Sequence, residues 1–438
     1  MSASAESASP LAALARAQDA LPGGPGWAAW RARALERLLA LGLPTPRDDA
    51  WKYTNLRILG RRTLAPAAPR PLGTALLDVL PLVAGPRLVF VDGRFHPALS
   101  ASSLPAGVTL TPFAALIERE PPAVLGPALT GPDPSAIDDR IRLLNACLAV
   151  DGAVLSVAPG TAVAGVLQII YIATGGGAYP RTQLTLGAGS ALELIEYHVA
   201  ADDAEAFVAL ASDLSLGPGA HLTHSCFQLA GARTVLLDDA NVTLAADACY
   251  RHRLVALGGQ LARLDLRVAL AGHGASAELA GLFLADGSRE HHVRTLVEHR
   301  TPGTRSDQSY RGVANDRARG SYDGKVIVHP GAAGSDSRQS SRNLLLGREA
   351  AIDTRPQLQI EADDVKCSHG ATTGALDEQV LFYLLTRGLD RDTARALLTY
   401  AFLGEVLGRL APEALRRAVE ARVLGRLPAA ALIREFVA

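Results

Sequence analysis

The stretch Arg263-Leu264-Asp265-Leu266-Arg267-Val268-Ala269-Leu270, closed by the turn Gly272-His273-Gly274-Ala275, carries the signature of the fold. Leu264, Leu266, Val268 and Leu270 alternate with Arg263, Asp265, Arg267 and Ala269, the period of two that sends successive side chains to opposite faces of a strand. One face is expected to be buried and the other wet. The small-residue turn recurs on both sides, from Ala158 (A-P-G-T), Gly187 (G-A-G-S), Gly217 (G-P-G-A), Ala245 (A-A-D-A), Thr301 (T-P-G-T) and His329 (H-P-G-A), at spacings of 27 to 30 residues and a mean of 28.5. Two apolar residues at i and i+2 precede most of these turns: Leu155/Val157, Leu184/Leu186, Leu214/Leu216, Val242/Leu244, Val268/Leu270 and Val326/Val328. The turn at Thr301 lacks such a pair. A unit of this length, made of short strands and turns, cannot bury its own apolar face, whereas stacked copies bury a continuous core. The repeat therefore predicts a mainly β chain, a solenoid of roughly eight coils between Ala153 and His369, about 35 to 40 Å long at ~4.8 Å per coil.

Outward from the repeat the pattern changes. Leu11 to Leu43 has apolar residues at helical spacing, interrupted by Leu21-Pro22-Gly23-Gly24-Pro25-Gly26. Proline is frequent from Gly60 to Pro134 (Pro66, Pro69, Pro71, Pro81, Pro86), which predicts a connector, although Arg87 to Gly93 reads as a strand ending in a turn. The uncharged stretch from Gly160 to Tyr179 carries Gln168 and a Gly175-Gly176-Gly177 run, and reads as buried strand and turn, not as a membrane span. Beyond Gly370 three helices are expected: Leu376 to Thr386, stopped by Gly388; a second capped by Asp390 and running to about Leu410; and a third opened by Pro412 and ending near Leu427-Pro428. Leu398, Phe402 and Val406 form a stripe that suits either packing among these helices or a docking face. The expected organisation is an N-terminal helical region and connector (1–80), a β-helix core (81–369) and a C-terminal helical domain (370–438).

The 438 residues are 48% apolar and 20% charged, with 43 basic against 44 acidic side chains, which excludes a disordered chain and offers no basic stripe for nucleic acid. Four cysteines (Cys147, Cys226, Cys249, Cys367) without C-x-x-C spacing cannot make a disulfide framework. With no leader pattern in Met1 to Pro10, they predict a cytoplasmic protein with no membrane segment. The string Gly320-Ser321-Tyr322-Asp323-Gly324-Lys325-Val326 is one residue short of a Walker A loop and ends in Val, so no ATP site is expected in this chain. G-x-S-x-G and H-E-x-x-H are absent, and no G-x-G-x-x-G opens a helix after a strand; no enzyme signature is found.

The remaining candidates are soft metal ligands. Cys367-Ser368-His369 puts a thiol and an imidazole on one strand face, with Glu361, Asp363 and Asp364 just upstream. His221, His224 and Cys226 form a second group, with His224 and Cys226 sharing a face and His221 opposite. Glu196/His198 and Cys249/His252 are weaker pairs, and His291-His292 point opposite ways; most of these are expected to be solvated.

Several strings together resemble a known family. Arg294-Thr295-Leu296-Val297-Glu298-His299, Arg317-Ala318-Arg319-Gly320, Asn343-Leu344-Leu345-Leu346, Pro356-Gln357-Leu358 and Asp363-Asp364-Val365-Lys366-Cys367-Ser368-His369-Gly370-Ala371-Thr372 are similar to those of SufD subunits in the SufB/SufD family of the Suf iron-sulfur cluster assembly system. Gly374 to Tyr383 continues the likeness, as does Ala50-Trp51-Lys52-Tyr53-Thr54, which departs from the family's E-W-R-Y-T at Ala50 and Lys52. The resemblance implies a right-handed parallel β-helix flanked by N-terminal and C-terminal helical regions, and a non-enzymatic scaffold. It implies pairing with a SufB-type paralogue through the β-helix and docking of a SufC-type ATPase on the C-terminal helices. It also implies a transient iron-sulfur cluster or iron at the subunit interface, near Cys367 and His369. Two other readings stay open: a self-associating structural solenoid that forms homodimers in isolation, and a β-helical carbohydrate-active enzyme, for which the 5% aromatic content is low.

Overall fold

The structure is a computed structural model and describes residues 11–427 except 12–13, 15–16, 69–71, 73, 101–102, 120–137 and 202–203. Met1 to Pro10, Pro69, Pro71, Pro134 and Pro428, on which some of the expectations rest, lie outside the described residues.

The strands are, in chain order, β1 (Arg87–Val91), β2 (Arg94–Phe95), β3 (Val108–Pro112), β4 (Gly152–Val157), β5 (Ala162–Ala173), β6 (Gly176–Ala178), β7 (Arg181–Leu186), β8 (Ala191–Ala200), β9 (Ala206–Leu216) and β10 (His221–Leu229). They continue as β11 (Val235–Leu244), β12 (Cys249–Ala256), β13 (Leu261–Leu270), β14 (Ser276–Ala285), β15 (Glu290–His299), β16 (Arg305–Ala314), β17 (Arg319–Val328), β18 (Asp336–Leu345), β19 (Ala351–Ile360) and β20 (Lys366–Gly374). Two sheets result. The first has the order β2-β1-β5-β8-β10-β12-β14-β16-β18-β20, and the second runs β19-β17-β15-β13-β11-β9-β7-β4-β3. From β4 and β5 onward neighbours pair in parallel, which is the parallel β-solenoid that the repeat demanded.

Register explains the repeat. Leu155, Leu184, Leu214, Val242, Val268, Val297, Val326 and Leu358 stack rung on rung in the second sheet. Two residues on, Val157, Leu186, Leu216, Leu244, Leu270, His299, Val328 and Ile360 form the next column. The pair missing before Thr301 is Val297/His299. His299 is fully buried there because Thr304 Oγ1, 2.8 Å from its Nδ1, and Ser306 Oγ, 2.9 Å from its Nε2, satisfy both ring nitrogens. The third residue of each turn has positive φ (Gly160 69°, Gly189 66°, Gly219 64°, Asp247 56°, Gly274 71°, Gly303 69°, Gly331 83°), the left-handed conformation that favours glycine and tolerates aspartate.

The expectation that the polar face of β13 is wet is wrong. Arg263, Asp265 and Arg267 are as buried as their apolar neighbours, because the N-terminal region covers the outer face of the second sheet. Helix α1 (Pro25–Leu41), started by a proline and ended at Gly42, packs with α2 (Arg140–Leu148) on that face. The tripeptide turn Asp49–Trp51 brings the Trp51 ring to 3.9 Å from the Arg263 guanidinium. Arg263 donates to Thr54 Oγ1 and to the Ala50 carbonyl, each at 2.7 Å, and to the Asp265 carboxylate at 2.6 and 2.9 Å. Arg142 of α2 and Arg267 share Asp239 in the same way, at 2.9 and 2.7 Å. Every buried charge here has a partner, which is the condition for burying it.

Within the proline-rich connector, β1 is the first rung of the first sheet, pairing in parallel with β5 and turning back into β2 through Asp92 and Gly93, both at positive φ. Gln168 is buried in β5 because its amide bonds the Val83 backbone, at 3.1 Å to the N–H and 2.9 Å to the carbonyl.

At the other end lie α3 (Glu378–Thr386), α4 (Arg391–Leu407) and α5 (Glu413–Leu424). Asp377 and Asp390 cap α3 and α4 by accepting from the N–H groups two and three residues on. The idea that these helices pack only among themselves needs correction. The buried side of α4 (Ala396, Leu403, Val406, Leu407) joins Phe227, Val255, Leu282, Leu284 and Val313 on the outer face of the first sheet in one apolar cluster. Arg311 pairs with Glu405, and Arg409 with Glu278 at 3.1 Å, across the same seam.

Candidate functional site

Inward and outward positions alternate along each strand, so register decides which chemistry-bearing residues meet. Cys367 and His369 of β20 pair with Ser337 and Gln339 of β18, whose side chains are buried inside the solenoid. Cys367 and His369 therefore continue two inward columns on the last rung. Among the described residues no strand pairs with β20 on its outer side, so Cys367 is half-buried against the core while His369 is exposed. Burial, then the Asp336 carboxylate, pushes the Cys367 thiol up from its ordinary value, against a backbone hydrogen bond from Ser337 that lowers it. The result is a neutral thiol and an exposed imidazole two residues apart on one strand face, at a sheet edge that no described strand covers. Gly370 does not mark a change to helix; β20 runs on to Gly374. Glu361, Asp363 and Asp364 are exposed beside this edge.

A second gathering lies deep in the lumen. Leu192, Leu194, Glu196 and His198 of β8 share the inward parity, as do Leu222, His224 and Cys226 of β10, and Cys226 is in register with Glu196. Asp238 of β11 enters from the opposite sheet. His198 Nε2 lies 3.9 Å from Glu196 Oε2 and 3.7 Å from Asp238 Oδ2, and Cys226 Sγ lies 3.9 Å from Asp238 Oδ2. His224 Nε2 is 3.2 Å from Glu196 Oε2, and its Nδ1 is 3.1 Å from the Tyr250 hydroxyl. Burial raises Asp238 and Cys226 well above their ordinary values and lowers His198 to about 4. Glu196 alone stays below its usual range: burial raises it, but His224 and then His198 more than offset that. The sequence reading kept Glu196/His198 apart from His224/Cys226 and missed Asp238. Parity counted back from Leu244 through Val242 and Ala240 would have turned Asp238 inward.

The expected solvation of these histidines fails: His198, His224, His252, His291 and His292 are all buried. His292 is held by Ser321 Oγ at 2.8 Å, and His291 lies edge-on to Phe283. His221 is exposed. Cys249 and His252, three residues apart, fall on opposite faces and do not meet, His252 being inward against His224. The string Gly320 to Val326 lies within β17 and offers no phosphate loop; a Cβ on Gly320 would sit 2.4 Å from the Phe283 ring. No helix among the described residues is long and apolar enough to cross a membrane.

The SufBD core domain of the SUF system for FeS cluster assembly matches residues 170–402. The chain is 31% identical to the iron-sulfur cluster assembly protein SufD of Escherichia coli (strain K12), over 91% of this chain and 92% of that protein. It is 28% identical to an iron-sulfur cluster assembly SufBD family protein of Synechocystis, over 87% of this chain and 86% of the relative. It is 26% identical to a chloroplastic protein of Arabidopsis thaliana, over 91% of this chain and 85% of that one.

Proposed function

The chain belongs to the SufBD family of Suf-system iron-sulfur cluster assembly proteins, and from that premise we propose that it acts in iron-sulfur cluster assembly as a non-enzymatic scaffold, joined through the open end of its solenoid to a SufB-type paralogue. The observation that carries this reading is the last rung. Among the described residues β20 has an unpaired edge of N–H and C=O groups, which an adjoining strand would satisfy, and it carries Cys367 and His369 on its inward face where a partner's donors would meet them. Thiol and imidazole suit iron, so the cargo held there is iron or a nascent cluster. The α3 helix exposes Val380, Phe382 and Tyr383, which supports docking of a SufC-type ATPase on the C-terminal helices, ATP being that partner's ligand. Four free cysteines suit a reducing cytoplasm.

The test is co-expression of the tagged chain with the paralogue and the ATPase, with iron and sulfide measured in the purified complex. His369→Ala should leave the complex assembled by size-exclusion chromatography and the chain's stability within about 1 kcal/mol, since an exposed side chain fills no cavity, while cluster yield falls sharply. Normal yield in an intact complex removes His369 from the site. The same open edge favours a second reading, a homodimer of the isolated chain. Sedimentation should then show a dimer that gives way to the heteromer when the paralogue is added.

A further inference from the structure

We propose that the solenoid holds a divalent transition-metal ion of the zinc or ferrous type inside its lumen, ligated by Glu196, His198, Cys226 and Asp238, at a site separate from the open end. The donor atoms of Glu196, His198 and Cys226 all lie within 4.8 Å of one another, and Asp238 Oδ2 is 3.7 Å from His198 Nε2 and 3.9 Å from Cys226 Sγ. Four donors arranged tetrahedrally at bond lengths of about 2.0 to 2.3 Å stand roughly 3.3 to 3.8 Å apart, and the Glu196–His198, His198–Asp238 and Cys226–Asp238 pairs, at 3.9, 3.7 and 3.9 Å, already stand close to that spacing. One thiolate, one imidazole and two carboxylates form a set that suits such an ion better than magnesium or calcium, which take oxygen alone.

The second line of evidence is the ring of His198. It is almost wholly buried, and neither of its nitrogens has a hydrogen-bond partner among the described residues. A buried imidazole in that condition forfeits two hydrogen bonds, which a metal bond at Nε2 would partly replace. On its other side the Tyr171 ring stacks at 5.5 Å and fixes the ring plane. His224, 3.2 Å from Glu196 Oε2 and braced by Tyr250, is placed as the outer partner that orients a ligating carboxylate. Binding is a simple exchange: metal–sulfur and metal–oxygen bonds form at Cys226 and Asp238 as the thiol and carboxyl protons leave to solvent.

The probe is Co(II), supplied during expression of the full chain so that the buried site loads as the solenoid folds. The expected result is close to one cobalt per chain, with tetrahedral d–d bands and a thiolate-to-cobalt charge-transfer band. Cys226→Ser should abolish the charge-transfer band, and the near-isosteric Asp238→Asn should weaken retention by at least tenfold, each with wild-type far-UV circular dichroism. The double variant Cys367→Ser/His369→Ala should keep the metal and its spectrum. Loss of the spectrum in that double variant with retention in Cys226→Ser would place the metal at the open end and overturn the proposal. So would a correctly folded wild-type chain that retains no cobalt. If Cys226→Ser does not fold, the Asp238→Asn stoichiometry and the double variant decide between the two sites.

Discussion

Arg263→Ala tests the clasp that holds the N-terminal region on the second sheet. The substitution takes from the buried Asp265 carboxylate a two-pronged partner at 2.6 and 2.9 Å, and from Thr54 and Ala50 one donor each at 2.7 Å. It also removes the guanidinium from the Trp51 ring. Stripping one partner from a buried pair costs about 3 to 5 kcal/mol. Arg294 NH1, 3.5 Å from the same carboxylate, leaves part of the charge compensated, so the lower end, about 3 kcal/mol, is expected. The assay separates the parts: Trp27, Trp30 and Trp51 are all the tryptophans of the chain and all sit in the N-terminal region, so their emission follows its detachment, while far-UV circular dichroism follows the solenoid. In urea the variant's fluorescence transition should move to lower concentration by more than its dichroism transition. A double-mutant cycle with Trp51→Ala should return a coupling of about 1 kcal/mol for the stacked cation. The pH dependence has a fixed sign. Burial raises the Asp265 carboxyl, but Arg263 and then Arg294 hold it below its ordinary value, so its contribution is present above the unfolded pKa of about 3.9 and disappears as pH falls through the folded one. The gap between wild type and variant should therefore narrow in acid. A loss below about 1 kcal/mol at neutral pH, with coincident transitions, would refute the clasp.

Three further outcomes are expected. His198 and His299 are depressed to about 4 and His291 to about 3 by burial, so the metal-free protein should lose stability as pH falls from about 6.5 toward 4, measured by urea titration at stepped pH; a flat profile would show that these rings are not buried neutral. Deleting the chain after Gly374 uncovers Val255, Leu282, Leu284 and Val313, and should give a protein that binds a hydrophobic dye or aggregates; a monodisperse, dye-silent product would mean that α4 and α5 are not needed to cover the first sheet. Gly281→Ala puts a Cβ 2.6 Å from Cε1 of the Tyr310 ring, which is itself stacked on Tyr322 at 4.7 Å, and should cost about 1 to 3 kcal/mol in chemical denaturation, against little change for an alanine at Gly404, where nothing lies within 4 Å.

The solenoid was legible because its two determinants are local and periodic. Alternation sorts side chains by parity within a strand, and the turn motif needs a left-handed residue at its third position, so both survive in a single sequence from Ala158 to His329. The helix caps at Asp390 and the stop at Gly388, with φ of 91°, were legible for the same reason. Cys367 and His369 could be placed on one face of one strand, because that relation also stays within a few residues.

What lay beyond the sequence was everything set by which rung or layer lies next to which. Alternation in β13 could not reveal that Trp51 and Thr54, more than two hundred residues earlier, cover Arg263 and make the expected wet face dry. Nor could the stripe on α4 say whether its apolar side meets another helix or the first sheet. Glu196, His198, Cys226 and Asp238 are spread over three strands, and only the coil length that brings β8 into register with β10, and β11 across the lumen from them, puts the first three together and Asp238 beside His198 and Cys226. Local backbone chemistry determines period, parity and caps; contact between distant rungs and layers is a property of the assembled coil, and only the tertiary structure decides it.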